Sequence, residues 1–528
     1  MAPSFRLFHS LLSLLSLLSL PSLCTSSTPP ISRISVNKEN NLMKDEQGRV
    51  RIFHGFNDCA NDAGKGESIG RFDGSNYMPR VLLSNDTRLE ELTSTYGFNA
   101  FRISAAWAAL QPDPPSSDGT ITDDSSYLTA LSDLVAKLAD HGAFSLLDMH
   151  QDGLSPSYGS YDGIPQWLAN LTEPRHAWPW PWKDNAPNDI SEAAAQNFGE
   201  IYHNTHGGLD AWAAAWRSFA ERFQHNPAVL GYELMNEPFA GDVYHDPTLF
   251  LPGVAGSKSL APAYDVVADA IRSVDNTTMI FFEPVTWGMV HDSPRTIQKL
   301  ISSGFDHVPG GDEYSDRSVF SFHYYCFFAK NGDGTTYPSM EKKACDEFLG
   351  PAVFDAVDET AKRLGSGSMM TEFGGSFYSP DSKNPNGRST EEFNWLMDEA
   401  DKRLQSWTFW DIAHYYNYPE PTPGCSDGLD CPGVKLLSRP YAQATAGTPT
   451  LMRFDTSSSV FTFSFDADAS ITAPTEIFLP PHSYPEGYSI EIEAASNTAA
   501  WEVCEDRPNV ICVSVASDST VTLTVSPK

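Results

Sequence analysis

The amino-acid sequence predicts an α/β fold, a (β/α)8 TIM barrel followed by a C-terminal antiparallel β-sandwich domain. The first observation is a series of eight short apolar runs separated by stretches with helical periodicity. The second is that polar residues directly follow these runs, and the carboxyl ends of parallel barrel strands meet on one face. The third is a change of pattern near residue 439, after which apolar and polar residues alternate as in antiparallel strands.

The eight apolar runs are assigned as barrel strands. They are apolar almost throughout, which is typical of parallel strands buried on both faces. They lie near Phe53, Phe101, Leu146, Gly231, Ile280, Phe320, Met370 and Thr408. Residues 128–141, 209–224, 264–274 and 390–403 carry apolar residues at helical spacing and are assigned as connecting helices. This alternation of strand and helix favours a closed barrel.

The C-terminal part is assigned as a sandwich. Phe461-Thr462-Phe463-Ser464-Phe465 alternates, and so do residues 488–492 and 513–525. Alternation with Ser and Thr enrichment is typical of antiparallel sheets that bury one face. We therefore expect the barrel to occupy residues 34–436 and the sandwich residues 437–528.

The first 24 residues have the pattern of a secretory signal peptide. One Arg precedes a Leu-rich run, and Pro21 with small residues beyond it suits cleavage near Cys24. The run is too short to span a membrane, and no later segment predicts a transmembrane helix. Asn-x-Ser/Thr sequons at Asn85, Asn170 and Asn276 fit a glycoprotein. We expect a protein that is secreted or held in the lumen of a secretory or lysosome-like compartment.

Seven cysteines follow Cys24, and an oxidising compartment permits disulfides between them. Local spacing favours the pairs Cys326–Cys345, Cys425–Cys431 and Cys504–Cys512, which leaves Cys59 without a partner. Metal binding is the competing interpretation, but the cysteines are scattered and show no Cys-x-x-Cys spacing. We expect no metal site.

The charge balance limits the classes of partner. The chain has 35 Lys and Arg against 68 Asp and Glu, a formal net charge of −33. Such a charge repels nucleic acid and anionic bilayers, and it favours neutral substrates or an acidic compartment. Solubility alone explains the charge equally well.

Two glutamates end apolar runs and form a candidate catalytic pair. Glu237 closes the run that begins at Gly231, and Glu372 closes a second run at Ser368-Met369-Met370-Thr371. A retaining glycosidase needs an acid that protonates the leaving oxygen and a carboxylate that attacks the anomeric carbon, about 5 Å apart. The pair therefore predicts a glycosidase.

Further candidates follow the same runs. Asn236 is suited to bind a sugar hydroxyl, Arg102 to hold Glu372 ionised and lower its pKa, and Trp410 to stack on a sugar ring. His150, His323 and Tyr325 would complete a hydrogen-bonded floor. Each has a structural explanation by itself, as a salt-bridge partner or a packed side chain. Together with the two glutamates, these candidates follow the second, third, fourth, sixth, seventh and eighth runs in chain order. This regular placement favours a single site.

These motifs resemble glycoside hydrolase family 5, a retaining barrel family. The motifs are Phe101-Arg102-Ile103, Leu234-Met235-Asn236-Glu237-Pro238, His323-Tyr324-Tyr325, Thr371-Glu372-Phe373-Gly374 and Trp410. Within the family the chain is similar to the endoglycosylceramidase branch. That similarity rests on residues 147–152 (Leu-Asp-Met-His-Gln-Asp), 163–167 (Gly-Ile-Pro-Gln-Trp) and 439–447 (Arg-Pro-Tyr-Ala-Gln-Ala-Thr-Ala-Gly).

The resemblance implies roles for individual residues. Glu237 would be the acid/base and Glu372 the nucleophile, and the sugar next to ceramide would contact Asn236, His150, Asp152, His323 and Tyr325. Lys65 is the candidate for a sugar-binding lysine in the first βα loop, where residues 57–62 depart from the bacterial pattern. The substrate would be a glycolipid at a membrane or micelle surface, and no cofactor is implied. The sequence does not predict an oligomeric state.

Other functions stay open at this point. An exo-acting relative could remove glucose from glucosylceramide or a steryl glucoside, an endoglucanase could cut a polysaccharide, and an inactive barrel could only bind. The insertion at residues 150–208 should cover the mouth of the barrel. Its segment Trp178-Pro179-Trp180-Pro181-Trp182 could stack on sugars, contact a lipid chain, or form a proline-stiffened loop that buries its own tryptophans.

Overall fold

The structure is a computed structural model, and it describes most of the chain. The described residues are 31–59, 71–79, 86–160, 162–183, 190–285, 303–326, 339–374, 388–412, 432–494 and 499–528. The predicted signal peptide, the sequon at Asn85 and the pair Cys425–Cys431 lie outside these ranges. Across the described ranges, no helix combines the length and apolarity needed to cross a bilayer.

Eight parallel strands close into a barrel, as predicted. In chain order they are β4 (His54–Asp58), β5 (Ala100–Ser104), β6 (Phe144–Asp148), β7 (Val229–Glu233), β8 (Met279–Phe282), β9 (Ser318–Tyr324), β10 (Gly367–Phe373) and β11 (Ser406–Phe409). Each strand pairs with the next, and β11 closes the barrel on β4 through Trp407 and His54. Because the strands are buried along nearly their whole length, they consist mainly of apolar residues.

Helices connect the strands and cover the barrel. The α-helices are Asp86–Glu90, Trp107–Leu110, Ser125–Asp140, Gln166–Ala169, Glu192–Tyr202, Gly208–Phe223, Ala261–Arg272, Ser339–Lys343, Gly350–Leu364, Arg388–Lys402 and Pro432–Leu437. The helix Ser125–Asp140 begins at Asp124, whose carboxylate accepts hydrogen bonds from the backbone N–H groups of Ser126 and Tyr127. The four helices predicted from periodicity are thus confirmed within three residues at each end.

Short 3₁₀ and π segments complete the helical layer. The 3₁₀ segments are Pro156–Tyr158, Thr205–Gly207, Pro247–Phe250, Asp312–Arg317 and Pro481–Ser483, and the π segments are Glu91–Thr95, Gly256–Leu260 and Ala344–Leu349. Several of them lie in the loops that follow barrel strands.

The C-terminal domain is a two-sheet antiparallel structure, as predicted. Its strands are β12 (Tyr441–Thr445), β13 (Gly447–Asp455), β14 (Val460–Ala467), β15 (Thr475–Phe478), β16 (Tyr488–Ala494), β17 (Ala499–Val503), β18 (Val510–Val515) and β19 (Ser519–Pro527). One sheet has the order β13-β14-β19-β16. Its alternating residues Phe461, Phe463 and Phe465 are buried and pack in the core between the sheets.

The second sheet contains the N-terminal strands of the chain, which the sequence analysis placed in the barrel domain. These strands are β1 (Ser35–Val36), β2 (Met43–Lys44) and β3 (Val50–Arg51), and the sheet order is β1-β2-β3-β12-β15-β18-β17. Residues 34–51 therefore pair with the C-terminal sheet, while Ile34, Val36 and Met43 pack in a buried cluster with residues of the barrel strands. Two-residue strands bury too few side chains to show a periodic pattern.

The two domains share a buried interface below the barrel. The ring of His54 stacks between those of Trp407 and Tyr441, at centroid distances of 4.3 and 3.9 Å. The Tyr441 hydroxyl donates to the carbonyl of Gly97. Gly97 has a φ of +74°, and a Cβ there would lie 2.4 Å from the ring of Phe478. A side chain at residue 97 is thus incompatible with the way the sheet packs on the barrel.

Two of the predicted disulfides are confirmed. Cys326–Cys345 joins the segment after β9 to the following helical segment, and Cys504–Cys512 joins β17 to β18. Cys59 follows β4, is buried and carries a free thiol.

Candidate active site

Arg102 lies at the centre of a buried polar cluster at the carboxyl ends of the strands. The guanidinium, which has no exposed surface, contacts Asp148 Oδ1 at 3.1 Å and Glu372 Oε1 at 2.6 Å, and it bonds to Glu233. It also donates to the side-chain oxygens of Asn57 and Asn236 at 3.0 and 2.8 Å. A planar guanidinium can hold several acceptors in fixed directions. Arg102 therefore positions residues from four strands, β4, β6, β7 and β10, and from the loop after β7.

Glu372 is placed by an irregularity in β10. The pairing of β10 with β9 shifts register between Met370 and Glu372, so that Glu372 lies opposite His323. The intervening Thr371 donates its hydroxyl to Glu233 at 2.9 Å. One oxygen of Glu372 accepts from Arg102, and the other accepts from the Tyr325 hydroxyl at 2.8 Å. Both oxygens are thus fixed in direction.

Glu237 faces Glu372 from the loop after β7. Its backbone has a φ of +41°, a strained conformation for a residue with a side chain. Its Oε1 lies 2.8 Å from His323 Nδ1, and that nitrogen lies 3.4 Å from Glu372 Oε2. The carboxylate oxygens of the two glutamates and the His323 nitrogen all lie within 4.8 Å of one another. The two carboxyl groups are therefore close enough for a shared sugar ring.

Glu237 and Glu372 differ in exposure. The side chain of Glu237 is 26% exposed and that of Glu372 only 5%. Burial, with a smaller contribution from the Asp152 carboxylate, raises the pKa of Glu237 to about 7. Burial also raises the pKa of Glu372 above its ordinary value, although His323 and Arg102 lower it. Arg102 lowers this pKa, as expected, but desolvation of the buried carboxyl group outweighs its effect.

His150 and Trp410 form one wall of the site. Their rings stack at a centroid distance of 4.9 Å and an angle of 10°. His150 Nδ1 lies 2.6 Å from Asp148 Oδ2, and its Nε2 lies 3.6 Å from Asp152. Burial lowers the pKa of His150, but the Cys59 thiol and the Asp148 carboxylate more than offset this and raise it well above the ordinary value. Asp152 remains 38% exposed at the mouth.

Asn236 is held by the loop after β6. Its amide donates to the carbonyl of Gln151 at 2.9 Å, and the Gln151 amide donates to the carbonyls of Asn236 and Glu237 at 2.7 and 3.0 Å. These reciprocal bonds fix the strained Asn236-Glu237 peptide against the loop that carries His150. The sequence contains this loop as residues 147–152, but its role as a support for Glu237 was not predicted.

The structure brings nearly all predicted site residues together. The paired glutamates Glu237 and Glu372 lie among the other predicted residues, which are Arg102, His150, Asn236, His323, Tyr325 and Trp410. Asp152 lies at the edge of this group. Lys65 lies outside the described residues.

Several carboxylates of the cluster were not predicted. Asp148, Glu233 and Glu283 end or follow β6, β7 and β8, so the rule that located Glu237 and Glu372 could have found them. Glu283 Oε1 accepts from the Glu237 backbone N–H at 3.3 Å, and burial followed by the Glu233 charge raises its pKa well above the ordinary value. Glu283 thus binds a proton more readily than an ordinary glutamate, and it supports the Glu237 backbone.

Some of these donors have the spacing of metal ligands. Among the described residues, one donor atom each of Cys59, Asp148 and His150, and one each of Glu233, Glu283 and His323, lie within 4.8 Å of one another. Glu237, His323 and Glu372 form a third such group. The carboxylates Asp148, Glu233 and Glu372 already share a fixed cation, the guanidinium of Arg102.

Comparison with known proteins gives the chain its family. The sequence model described as Cellulase (glycosyl hydrolase family 5) matches residues 61–415, and that of the glycoside hydrolase family 5 C-terminal domain matches residues 439–525. The chain belongs to glycoside hydrolase family 5. It is therefore an O-glycosyl hydrolase, and the resemblance stated from the motifs is confirmed.

Within family 5 the chain is similar to proteins named endoglycoceramidase. It is 31% identical over 503 residues to that of Cyanea nozakii, covering 90% of both chains. It is 32% identical over 491 residues to that of Hydra vulgaris, covering 87% of this chain and 83% of the relative. The solved endo-glycoceramidase II of a Rhodococcus species superposes with a TM-score of 0.69 at 24% identity, covering 92% of this chain and 99% of that one. The last comparison supports the fold.

Proposed function

We propose that this chain is a retaining endo-glycosidase that hydrolyses the β-glycosidic bond between the oligosaccharide and the ceramide of glycosphingolipids. The observation that carries the proposal is the pair Glu237 and Glu372, whose carboxylate oxygens lie within 4.8 Å of each other and of His323. A separation near 5 Å suits direct attack on the sugar, whereas inversion needs room for a water between the carboxylates. The names of the relatives in Cyanea and Hydra support ceramide glycosides as substrates.

Glu237 acts as the general acid and base. With a pKa of about 7, it carries a proton near neutral pH and can donate it to the glycosidic oxygen as the ceramide departs. In the second half of the reaction the resulting carboxylate accepts a proton from water. Its 26% exposure and its position in a loop allow contact with the leaving group and with solvent.

Glu372 acts as the nucleophile. Arg102 and Tyr325 bind its two oxygens, so one oxygen can attack the anomeric carbon without reorientation. The attack breaks the bond to the ceramide oxygen and forms a glycosyl-enzyme ester. Water, deprotonated by Glu237, then cleaves the ester and releases the oligosaccharide.

The sugar next to ceramide is held by the walls of the cluster. Asn236 binds its 2-hydroxyl, Trp410 packs against its apolar face, and His150 with Asp152 binds further hydroxyls. The family resemblance assigns a further sugar contact to Lys65, which lies outside the described residues. This arrangement follows the roles implied by the family motifs, and the stacked His150 and Trp410 rings supply the flat wall that it requires.

The protein is proposed to act as a secreted or lumenal glycoprotein on glycolipid at a membrane or micelle surface. Its leader pattern and sequons support this location, as do the two disulfides, which form in oxidising compartments.

Product analysis tests the proposal. Purified protein is incubated in detergent with lactosylceramide, glucosylceramide and a cello-oligosaccharide, and the products are identified by mass, with Glu372→Gln as the control. Intact lactose and ceramide are expected from lactosylceramide. Glucose from glucosylceramide alone would indicate an exo-acting enzyme, and cleavage of the cello-oligosaccharide alone would indicate a glucanase. No cleavage of any substrate would contradict a hydrolytic function on these linkages.

A further inference from the structure

A set of exposed apolar side chains lies on two loops, residues 173–183 and residues 239–255, which contact each other through Arg175 and Asp242 and through Trp180 and Tyr244. It consists of Trp178, Trp180, Trp182, Phe250 and Leu251, which are 39, 40, 44, 59 and 57% exposed; we call it the tryptophan surface. Twelve large apolar side chains are exposed in the described part of the chain, and five of them are concentrated on these two loops. Single exposed apolar residues need no explanation, whereas such a concentration marks an interaction surface.

The tryptophan surface is attached to the loop that carries Glu237. Arg175 donates two hydrogen bonds to the Asp242 carboxylate at 2.9 and 3.1 Å, and the Trp180 ring contacts that of Tyr244 at a centroid distance of 5.5 Å. Asp242 follows Glu237 by only five residues, a span of at most roughly 18 Å. The tryptophan segment is therefore fixed to the loop after β7, near Glu237.

The tryptophan segment is folded before any ligand arrives. The carbonyl of Trp180 accepts from the Glu192 backbone N–H at 3.1 Å, and its ring stacks on His176 at 4.2 Å. The backbone N–H of Trp182 donates to the carbonyl of Pro179 at 2.9 Å. Because these contacts hold the segment, docking would cost little conformational entropy.

Charge argues for a neutral partner. Arg175 and His176 beside the tryptophans are both paired with Glu192, and the charges of the exposed Lys183 and Glu173 on the same segment offset each other. The chain as a whole carries a net charge of −33, which disfavours anionic lipid. Tryptophan is enriched where protein meets the boundary between lipid headgroups and acyl chains. A zwitterionic or neutral lipid surface fits this combination.

We propose that the tryptophan surface docks the enzyme on the lipid bilayer or micelle that holds its glycolipid substrate. The inference rests on the proposed function, which supplies the lipid-embedded substrate. Docking by Trp178, Trp182 and their neighbours presents Glu237 to the membrane-proximal glycosidic bond. The surface raises turnover of embedded substrate and has no part in cleaving soluble substrate.

Vesicle binding tests the docking step. Zwitterionic phosphatidylcholine vesicles without glycolipid are sedimented with wild type, with the double variant Trp178→Ala/Trp182→Ala, and with Trp501→Ala as the control. Trp501 is 42% exposed on β17 of the C-terminal domain, so the control removes a tryptophan of matched exposure. Wild type and Trp501→Ala should bind alike, and the double variant should bind at least about tenfold more weakly. Equal binding by all three proteins overturns the proposal.

Kinetics on two substrates separate docking from sugar binding. The double variant should lose about tenfold or more in turnover of vesicle-embedded lactosylceramide, mainly as a higher KM in vesicle concentration. It should hydrolyse a soluble aryl lactoside at nearly the wild-type rate. Equal losses on both substrates would make the tryptophans part of the sugar site and overturn docking. Loss of a wild-type dimer in the double variant, seen by sedimentation velocity, would assign the surface to a second copy instead.

The docking proposal and the proposed function fail in different ways. If wild type binds glycolipid-free vesicles but cleaves no glycosphingolipid in detergent, the proposed function fails and the surface remains a lipid-binding surface. If wild type cleaves lactosylceramide in detergent and the double variant matches it on vesicles, docking fails alone. If each variant unfolds at the same midpoint temperature as wild type, misfolding is excluded as the cause of a lost activity or of lost binding.

Discussion

Two of the buried arginine–carboxylate clusters lie at opposite ends of the barrel, and their charge balance is opposite. Near the lower end, three arginines, Arg49, Arg51 and Arg507, contact two carboxylates, Asp45 and Glu476. At the upper end, one arginine serves four carboxylates, which are Asp148, Glu233, Glu283 and Glu372. The first cluster lies where the sheet packs on the barrel, and the second lies in the active site.

The two balances have opposite effects on proton affinity. Although burial raises the pKa of Glu476, its arginines lower it to about 2. In the upper cluster burial prevails and raises the pKa of Glu237 to about 7. A surplus of cations thus keeps a carboxylate ionised as a structural group, whereas a surplus of carboxylates keeps a proton available for chemistry.

Removal of the nucleophile should have the largest effect. Glu372→Gln keeps the size and the hydrogen-bonding capacity of the side chain but cannot form the ester, so kcat should fall by at least about 10³-fold. Steady-state kinetics on lactosylceramide in detergent measure the loss, and thermal unfolding serves as the control. Near-wild-type activity in a folded variant would remove Glu372 from the proposed role.

Removal of the acid should have an effect that depends on the leaving group. Glu237→Gln should lower kcat/KM on lactosylceramide by about 10² to 10⁴-fold, because the ceramide oxygen needs a proton to leave. With a lactosyl fluoride or dinitrophenyl lactoside, bond cleavage needs no such proton, so the loss in kcat/KM, which reports the first half of the reaction, should be much smaller. Equal losses on both substrates would contradict the acid role.

The pH profile should report the upper cluster. The kcat/KM of wild type on lactosylceramide should fall as pH rises through about 7, where Glu237 loses its proton. It should also fall as pH drops through the raised pKa of Glu372, because the nucleophile must be ionised. In Glu237→Gln, the descending limb near pH 7 should be absent. A limb that persists there would belong to another group.

The smallest expected effects are on stability, and they have opposite signs at the two clusters. The depressed pKa of Glu476 contributes stability above its unfolded value near 4.5 that is lost as pH falls toward about 2, amounting to about 3 kcal/mol. The raised pKa of Glu237 instead costs stability above pH 7 and none below about 4.5. With partial exposure, Glu237→Gln should raise the free energy of unfolding by about 1–2 kcal/mol at pH 8.

Denaturant unfolding of both variants at pH 4 and pH 8 measures this difference. Glu476→Gln should be less stable than wild type at pH 8, and its deficit should narrow toward low pH. Glu491→Gln, at an exposed position on β16, is the control and should leave the free energy of unfolding unchanged at both pH values. If the Glu237 and Glu476 variants change the free energy of unfolding at pH 8 in the same direction, the two clusters do not differ as described.

The residues that could be predicted from the sequence share one physical property. A buried parallel strand must be apolar, so a carboxylate at its end stands out, and Glu237 and Glu372 were found in this way. Glu233 lies inside the same run as Glu237 and was passed over, because the sequence does not show that Thr371 and Arg102 satisfy a carboxylate there. The net direction of the Glu372 pKa shift was not predicted, because desolvation depends on packing around the side chain.

The architecture was predictable where segments are long and periodic. The eight barrel strands, the alternating strands of the sandwich and two local disulfides fall in this class. Strands β1 to β3 do not, because each has only two residues and their partner β12 lies nearly 400 positions away. The bulge that places Glu372 opposite His323 likewise depends on pairing between strands rather than on local sequence.

The position of β1 to β3 has a consequence for the order in which the protein can assemble. A ribosome releases residues 35–51 first, but β3 can pair with β12 only after Tyr441–Thr445 has emerged. Until then the early strands carry unpaired backbone groups while the whole barrel is being synthesised. The C-terminal sheet therefore completes a structure begun at the amino terminus. A nascent chain halted before residue 441 would expose the unpaired edge of β3, a surface that molecular chaperones can recognise.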